Sequence, residues 1–445
     1  MGVEAQNDGG EKRPLRAAGI SAAARAATFP VTAVCTLVTA SLTIRYAGAP
    51  AYAAIATLVT LSQLIPFADL GVGAGVVNAV SSGEPEEARR AVAVAIRVLL
   101  CSTLALIMVA LIVDSTIGWA DVLGISDAPI AHADVAALAV ICVIALSLPF
   151  GVGQRVLIGS MRNPTAIAVS VLAPLTTLAG TAAIVWLRVS PTFLVFPAVV
   201  GSLFVAIISS VIAAKLTRAS FLDVFRFKLI RYPGLLRIGV WYVLLTAASA
   251  ASFQSGRIVL AHASGLREVA EFSLVMQFYL PLWSFFVAGG TALWPVFGRM
   301  RTSNADPNVL VLRMSAFFAI AATVCGLGLV ILGPLVSDVL SKGDVAPPWI
   351  TFTAAASLIL VQSVQLVQGV SLTDRSGIRF QALCAMPMMI FVPVMTWLAA
   401  HFLGSAAPFV AAALGVLLFQ ILPNALHLRG ARKVSEFGLR TEVAQ

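Results

Sequence analysis

The sequence is short of charge. Asp, Glu, Lys and Arg make up 11% of its 445 residues, where a soluble domain carries about 25%. So few charges cannot cover the surface of a water-soluble protein of this length. That excludes a soluble enzyme, a disordered chain and a nucleic-acid binder. Cysteine is scarce as well. Cys35, Cys101, Cys142, Cys325 and Cys384 each lie in an apolar run, and no two form a CxxC pair. An odd, scattered set supports neither a disulfide framework nor a zinc site, which leaves buried small hydrophobes. His132, His262, His401 and His427 fall near span ends without a second ligand beside them, so no metal is expected. The chain has no GxxxxGK[ST] phosphate loop and no GxSxG or HExxH pattern. It carries neither an ATP motor of that kind nor a recognisable hydrolytic centre, and is not expected to be an enzyme.

Apolar residues are abundant, at 59%, and mean hydropathy is +0.96. A helix needs about 20 apolar residues to cross about 30 Å of hydrocarbon. Twelve segments qualify: 21–44, 51–79, 91–113, 133–158, 164–187, 191–214, 234–262, 268–297, 310–340, 348–372, 378–401 and 405–428. The expected fold class is an all-α integral membrane protein of about 12 transmembrane helices in two six-helix lobes, with both termini cytoplasmic. The positive-inside rule tests this arrangement. With the N-terminus in the cytoplasm, 24 of the 29 Lys and Arg residues fall on the inner side. The other five, Arg45, Arg188, Arg257, Arg267 and Lys342, fall at outer ends. The first apolar run, to Ile44, is too long for a signal-peptide core and reads as a retained span.

The division expected is a cytoplasmic tail over 1–20, a first lobe over 21–214, a basic linker over 215–233, a second lobe over 234–428 and a cytoplasmic tail over 429–445. In the basic stretch from Lys215 to Arg237, Phe221, Leu222, Phe225 and Leu229 recur at helical spacing among Arg226, Lys228 and Arg231. That suits an amphipathic helix on the inner leaflet, attracting anionic headgroups, or a plain basic loop. A shift of 217 residues places Gly48 on Gly265, Ala53 on Ala270 and Gly73 on Gly290. Six spans per half make the two halves parallel. The longest outer connection, Asp114–Asp134, holds four Asp and no Lys or Arg. The other outer loops are very short, which weighs against a membrane glycan polymerase or transferase.

Several stretches are similar to a known family. Ile44-Arg45-Tyr46-Ala47-Gly48-Ala49-Pro50-Ala51-Tyr52 resembles the "ARYLGPEEYG" signature of lipid-linked oligosaccharide flippases, and Asp69-Leu70-Gly71-Val72-Gly73 resembles their "DLGL" run. Arg257-Ile258-Val259-Leu260 through Gly265, with Val269-Ala270-Glu271-Phe272-Ser273, is similar to "DRLLLGYFLGLEAVGLYSLAYKL". Leu293-Trp294-Pro295-Val296-Phe297-Gly298-Arg299 resembles "LFPRLSR". The family is the polysaccharide-transporter (Wzx-type) branch of the multidrug/oligosaccharidyl-lipid/polysaccharide exporter superfamily. Ala51 replaces a Glu of the signature and Gly256 the acid before Arg257, so ion coupling does not carry over directly. The resemblance implies a flippase that turns a polyprenyl-pyrophosphate-linked glycan from the inner to the outer leaflet by rocking two lobes. It implies no cofactor beyond a coupling proton or Na+. The implied partners are the lipid-linked glycan, membrane lipids and polysaccharide-assembly proteins, and no nucleic acid. The alternative within the superfamily is a cation-coupled multidrug or small-metabolite antiporter. High Ala and Val with few Lys suits a bacterium, hence a bacterial cytoplasmic membrane.

Charges inside the membrane cost about 2.5–3.5 kcal/mol each on insertion scales, which makes them candidate site residues. The family's substrate needs a cation-lined cavity, and the resemblance places spans one, two, seven and eight around it. Arg25, at the inner end of span one, is the expected pyrophosphate receptor, with a snorkelling anchor as the alternative. Arg257 and Glu271 each lie seven residues from Ser264 and sit at one depth. They form either an ion pair bracing the hairpin or a cavity wall, with Gln254 and Gln277 meeting sugar hydroxyls. Asp69, about 25 Å down the helix from Tyr52, is the ion-coupling candidate or a helix-ending acid. Glu271 is a second coupling candidate. Arg155 is a ligand or an anchor. Gln362, Gln365 and Gln368 form a polar stripe for sugar contact or for interhelical hydrogen bonds.

Overall fold

The computed structural model describes residues 8–64, 72–81, 84–217, 233–302 and 308–428. These residues contain helices and no strand. In lipid the backbone must satisfy its own hydrogen bonds, and a helix does so within one segment. The first half comprises α1 (Asp8–Ala47), α2 (Ala49–Leu64), α3 (Val72–Ser81), α4 (Pro85–Thr116), a short α5 (Trp119–Leu123), α6 (Ala133–Gly159), α7 (Asn163–Ser170), α8 (Leu172–Trp186) and α9 (Phe196–Thr217). The second half comprises α10 (Pro233–Ala263), α11 (Leu266–Thr302), α12 (Asn308–Ser341), α13 (Trp349–Ser371), α14 (Arg375–Ala385), α15 (Met388–Leu403) and α16 (Ala407–Val416). A π-helical turn, Leu417–Ile421, follows α16.

Nine helical stretches among the described residues are long and apolar enough to cross a membrane. One of them, Ser376–Leu428, is 53 residues long and is interrupted at Gly404, where φ is +51°. Of the span expected over 51–79, the described residues form α2 and α3, and Asp69 lies outside the described residues. The span expected over 164–187 is broken at Val171. Pro174 lies in the first turn of α8, where a missing N–H costs nothing.

The turns follow from backbone chemistry. Gly48 (φ +81°) alone joins α1 to α2, and Gly265 (φ +102°) closes the corresponding corner between α10 and α11. Only glycine adopts these angles without strain. The 217-residue shift therefore pairs two corners of the same kind. Small residues allow close helix crossings. A Cβ on Gly153 of α6 would lie 2.3 Å from the Ser210 nitrogen of α9, and Ser210 donates to the Phe150 carbonyl at 2.6 Å.

Three apolar clusters form the interior. Two have all their buried residues in the first half, and one of these is also met by Ile258 and Leu266 of the second. The largest is built from α10 to α16, yet it also takes in Ala40 and Ile44 of α1 and Tyr52 and Ala53 of α2. Near Gly48, then, the first half is embedded in the core of the second.

Candidate functional site

About 35 Å along α1 from Gly48, a rise of 1.5 Å for each of 23 residues, lies Arg25. Here the halves are separated by a cavity of about 620 Å³. Arg25, Thr28, Phe29 and Thr32 of α1 and the α7–α8 junction form one side; α11 and α12 form the other. Arg25 is the only ionisable lining residue among those described. Phe285 and Phe317 are 57% and 62% exposed, so the cavity reaches the lipid-facing surface. Phe29 meets Phe285 edge-on at 6.5 Å.

The lining hydroxyls share one arrangement. Thr28, Thr32, Ser170 and Ser284 all donate to carbonyls of their own helices, to Arg25, Thr28, Ile167 and Pro281 respectively. Their protons are committed, so each oxygen is left as an acceptor. The cavity offers one guanidinium, several hydroxyl acceptors and an aromatic wall. It suits an anion that also carries donor hydroxyls and an apolar body.

Arg257 stands elsewhere. It is 7% exposed on α10 and does not line this cavity. Its Nε donates to Ser273 Oγ of α11 at 2.9 Å, and its Nη1 to Thr60 Oγ1 of α2 at 2.7 Å. The Phe272 ring lies beside it, 5.7 Å from the guanidinium carbon. No carboxylate among the described residues pairs with it. A buried cation is normally neutralised. This one is held by two neutral hydroxyls and a ring face, one hydroxyl from each half. Tyr52 Oη has Gln277 and the Arg257 guanidinium as neighbours and makes no hydrogen bond of ordinary geometry.

The Arg257–Glu271 pair is not formed. Glu271 Oε1 lies 3.6 Å from Arg267 Nε, one turn earlier on α11. Its Oε2 accepts from Ser405 Oγ at 2.9 Å, and Ser405 in turn meets Thr351 Oγ1 at 2.8 Å. Glu271 thus ties α11 to α13 and to the Gly404 corner. Gln254 is half-buried on α10 without a hydrogen bond among the described residues. Arg155 is exposed on α6 and does not line the cavity. Gln362 is buried and accepts from the Tyr279 hydroxyl, an interhelical bond between α13 and α11. Gln365 is half-buried, and Gln368 is buried with an Oε1 that has no partner among the described residues.

The structure adds residues that the sequence did not single out. Thr60 and Ser273 matter only as partners of Arg257, and nothing local marks them. Gln420, in the π-helical turn, and Asn424 are buried, and neither amide finds a partner among the described residues. Their signal is present in the sequence, as two amides four residues apart in an apolar run. The cavity is lined by the segments expected as spans one, five, eight and nine, whereas spans one, two, seven and eight were expected.

No protein-family model matches the sequence, and no curated protein matches it. Solved structures do match in shape. An inward-facing multidrug resistance MATE family transporter of the MOP superfamily superposes with a TM-score of 0.65 at 15% identity, covering 93% of this chain and 99% of that one. The lipid II flippase MurJ in an inward closed conformation gives 0.69 at 13% identity, covering 92% and 87%. A MOP superfamily transporter from Pyrococcus furiosus, described as having a binding pocket of reverse polarity that suggests a different function, gives 0.62 at 15%, covering 94% and 97%. At these identities the likeness establishes the fold, a multi-pass helical membrane fold.

Proposed function

We propose that this protein is a flippase that carries a polyprenyl-pyrophosphate-linked oligosaccharide from the cytoplasmic to the outer leaflet of a bacterial membrane. The fold it shares with MATE transporters and with a lipid II flippase supports a transporter. The cavity carries the finer reading. A lipid-linked glycan has a diphosphate, many sugar hydroxyls and an apolar tail that stays in the bilayer. Arg25 meets the diphosphate with a planar fork suited to bidentate phosphate bonds. The Thr and Ser oxygens accept from sugar hydroxyls. The exposed Phe285 and Phe317 give the tail a route to lipid.

In this reading the chain has twelve spans, cytoplasmic termini and two lobes over 21–214 and 234–428. The Arg25 end opens inward. Arg257, with no carboxylate partner among the described residues, is a second anion station, reached when the lobes part at the Gly48 end. Coupling to a proton or Na+ would involve Asp69 or Glu271, and no cofactor or covalent step is required. A cationic-drug antiporter needs an acid where its substrate binds, and none lines this cavity among the described residues.

The test is reconstitution in proteoliposomes carrying the lipid-linked glycan on one leaflet, read with an impermeant glycan-cleaving enzyme. Translocation that depends on the protein and falls in Arg25→Gln supports the proposal. Absence of translocation, together with ion-driven efflux of small cations that is lost in Asp69→Asn, would replace it with the antiporter.

A further inference from the structure

Arg45 belongs to the Ile44–Tyr52 motif, yet it has no part in the cavity and stands among the few cations at the expected outer ends. Helix α12 ends at Ser341, and the last four carbonyls of a helix lack intrahelical donors. Two of these are met by α1, from the other half of the chain. Arg45 Nη2 donates to the Val339 carbonyl at 2.6 Å, and its Nε donates to the Leu340 carbonyl at 3.1 Å. Ser41 Oγ donates to the same Leu340 carbonyl at 2.7 Å. The Ser341 carbonyl is taken by the Asp344 N–H at 3.2 Å. One guanidinium therefore spans two consecutive carbonyls, and its charge stands at the negative end of the α12 dipole.

We infer that this joint is a reversible latch: Arg45 and Ser41 hold the Gly48 end shut while the Arg25 end is open, and they release α12 when the outer side opens. Arg45 is exposed, so water reaches the joint. On opening, the Val339 and Leu340 carbonyls exchange one donor for another instead of being orphaned in lipid. That makes the latch strong enough to bias the closed state and weak enough to release. A second polar contact, His262 Nε2 at 3.0 Å from the Asp121 carbonyl, also runs between the halves. The inference rests on the two-lobe motion of the proposed function and not on its substrate.

Ala53 serves as a reporter. It is fully buried and belongs to the second half's cluster although it stands on α2, so outer opening uncovers it. The experiment uses the full chain with Ala53→Cys and the five native cysteines replaced, expressed in cells and treated from outside with a membrane-impermeant maleimide. With Arg45 intact, labelling is slow. Arg45→Gln raises the labelling rate about tenfold, the population shift of one lost charge-assisted hydrogen bond. Ser41→Ala raises it less. Arg45→Lys, a single point donor, falls between the parent and Arg45→Gln. Labelling at the parent rate in both Arg45→Gln and Ser41→Ala overturns the latch. So does a parent that already labels as fast as Arg45→Gln. So does equal labelling of Arg45→Lys and Arg45→Gln with a lowered melting temperature in both, which marks damage to the fold. If the labelling follows the expected order while the glycan assay shows no translocation, the substrate assignment fails and the latch stands.

Discussion

The two ends of the seam between the halves are built differently. Near Gly48 it is made of Ala40, Ile44, Tyr52 and Ala53, fully or almost fully buried, with hydrogen bonds from side chains to main-chain carbonyls. Near Arg25 it is made of phenylalanine rings, hydroxyl oxygens and one charge around an open volume. Lipid tails are as apolar as leucine, so apolar contact alone gives little drive to close a seam at membrane depth. The polar contacts decide, and they are numerous at one end. The closed end is a joint, and the open end is, in the proposed function, a receptor.

The sharpest way to break that contrast is at the receptor. Arg25→Gln is expected to lower translocation by between tenfold and a hundredfold, the equivalent of about 1.5–3 kcal/mol for a charged hydrogen-bonded contact, with Arg25→Lys in between. Equal activity of all three proteins would reduce Arg25 to a topology anchor. Gly289→Leu is a steric test of the same volume. A Cβ there already approaches Phe318 at 3.1 Å, so the larger side chain fills the cavity. Translocation is expected to fall severalfold with no loss of expression or melting temperature.

Arg257→Met separates the two ends further. Removing one partner of a buried ion pair costs about 3–5 kcal/mol; Arg257 has only hydroxyl partners among the described residues, so its replacement by an apolar side chain of similar length is expected to cost about 1 kcal/mol or less. The melting temperature in detergent should therefore change little while translocation drops. A large destabilisation would make Arg257 part of the joint alone. The smallest effect is expected from His262→Leu. Losing one exposed contact to a carbonyl shifts outer accessibility by about 0.5–1 kcal/mol, a twofold to fivefold change in Ala53→Cys labelling.

Much of this was legible in the sequence, and some of it could not be. The Gly48 and Gly265 corners were readable because only one residue type tolerates their backbone angles. That Arg25 stands on a cavity wall was readable, because charge is costly near a bilayer and therefore rare. The faces of the helices were not readable. In water, the period of apolar residues shows which side is buried. In lipid both sides are apolar, so α7, α8 and α12 gave no sign of lining the cavity in place of α2 and α10. Charge partners were equally hidden. Arg257 and Glu271 are equally spaced from Ser264, but Arg267 lies one turn from Glu271 on the same helix and Thr60 reaches Arg257 from α2. Equal spacing from a turn does not fix azimuth.

Helix α1 runs unbroken from Asp8 to Ala47, and its two arginines of interest are 20 residues apart, about 30 Å. It is a rod with one grip in the cavity and the other on α12. A rod of that length tilting by about 10° around its midpoint moves each grip by about 2.6 Å. That is close to the full length of the Arg45–Val339 hydrogen bond. In the proposed function the two grips belong to one lever: a tilt of α1 that follows anion binding at Arg25 also displaces Arg45 relative to the Val339 and Leu340 carbonyls.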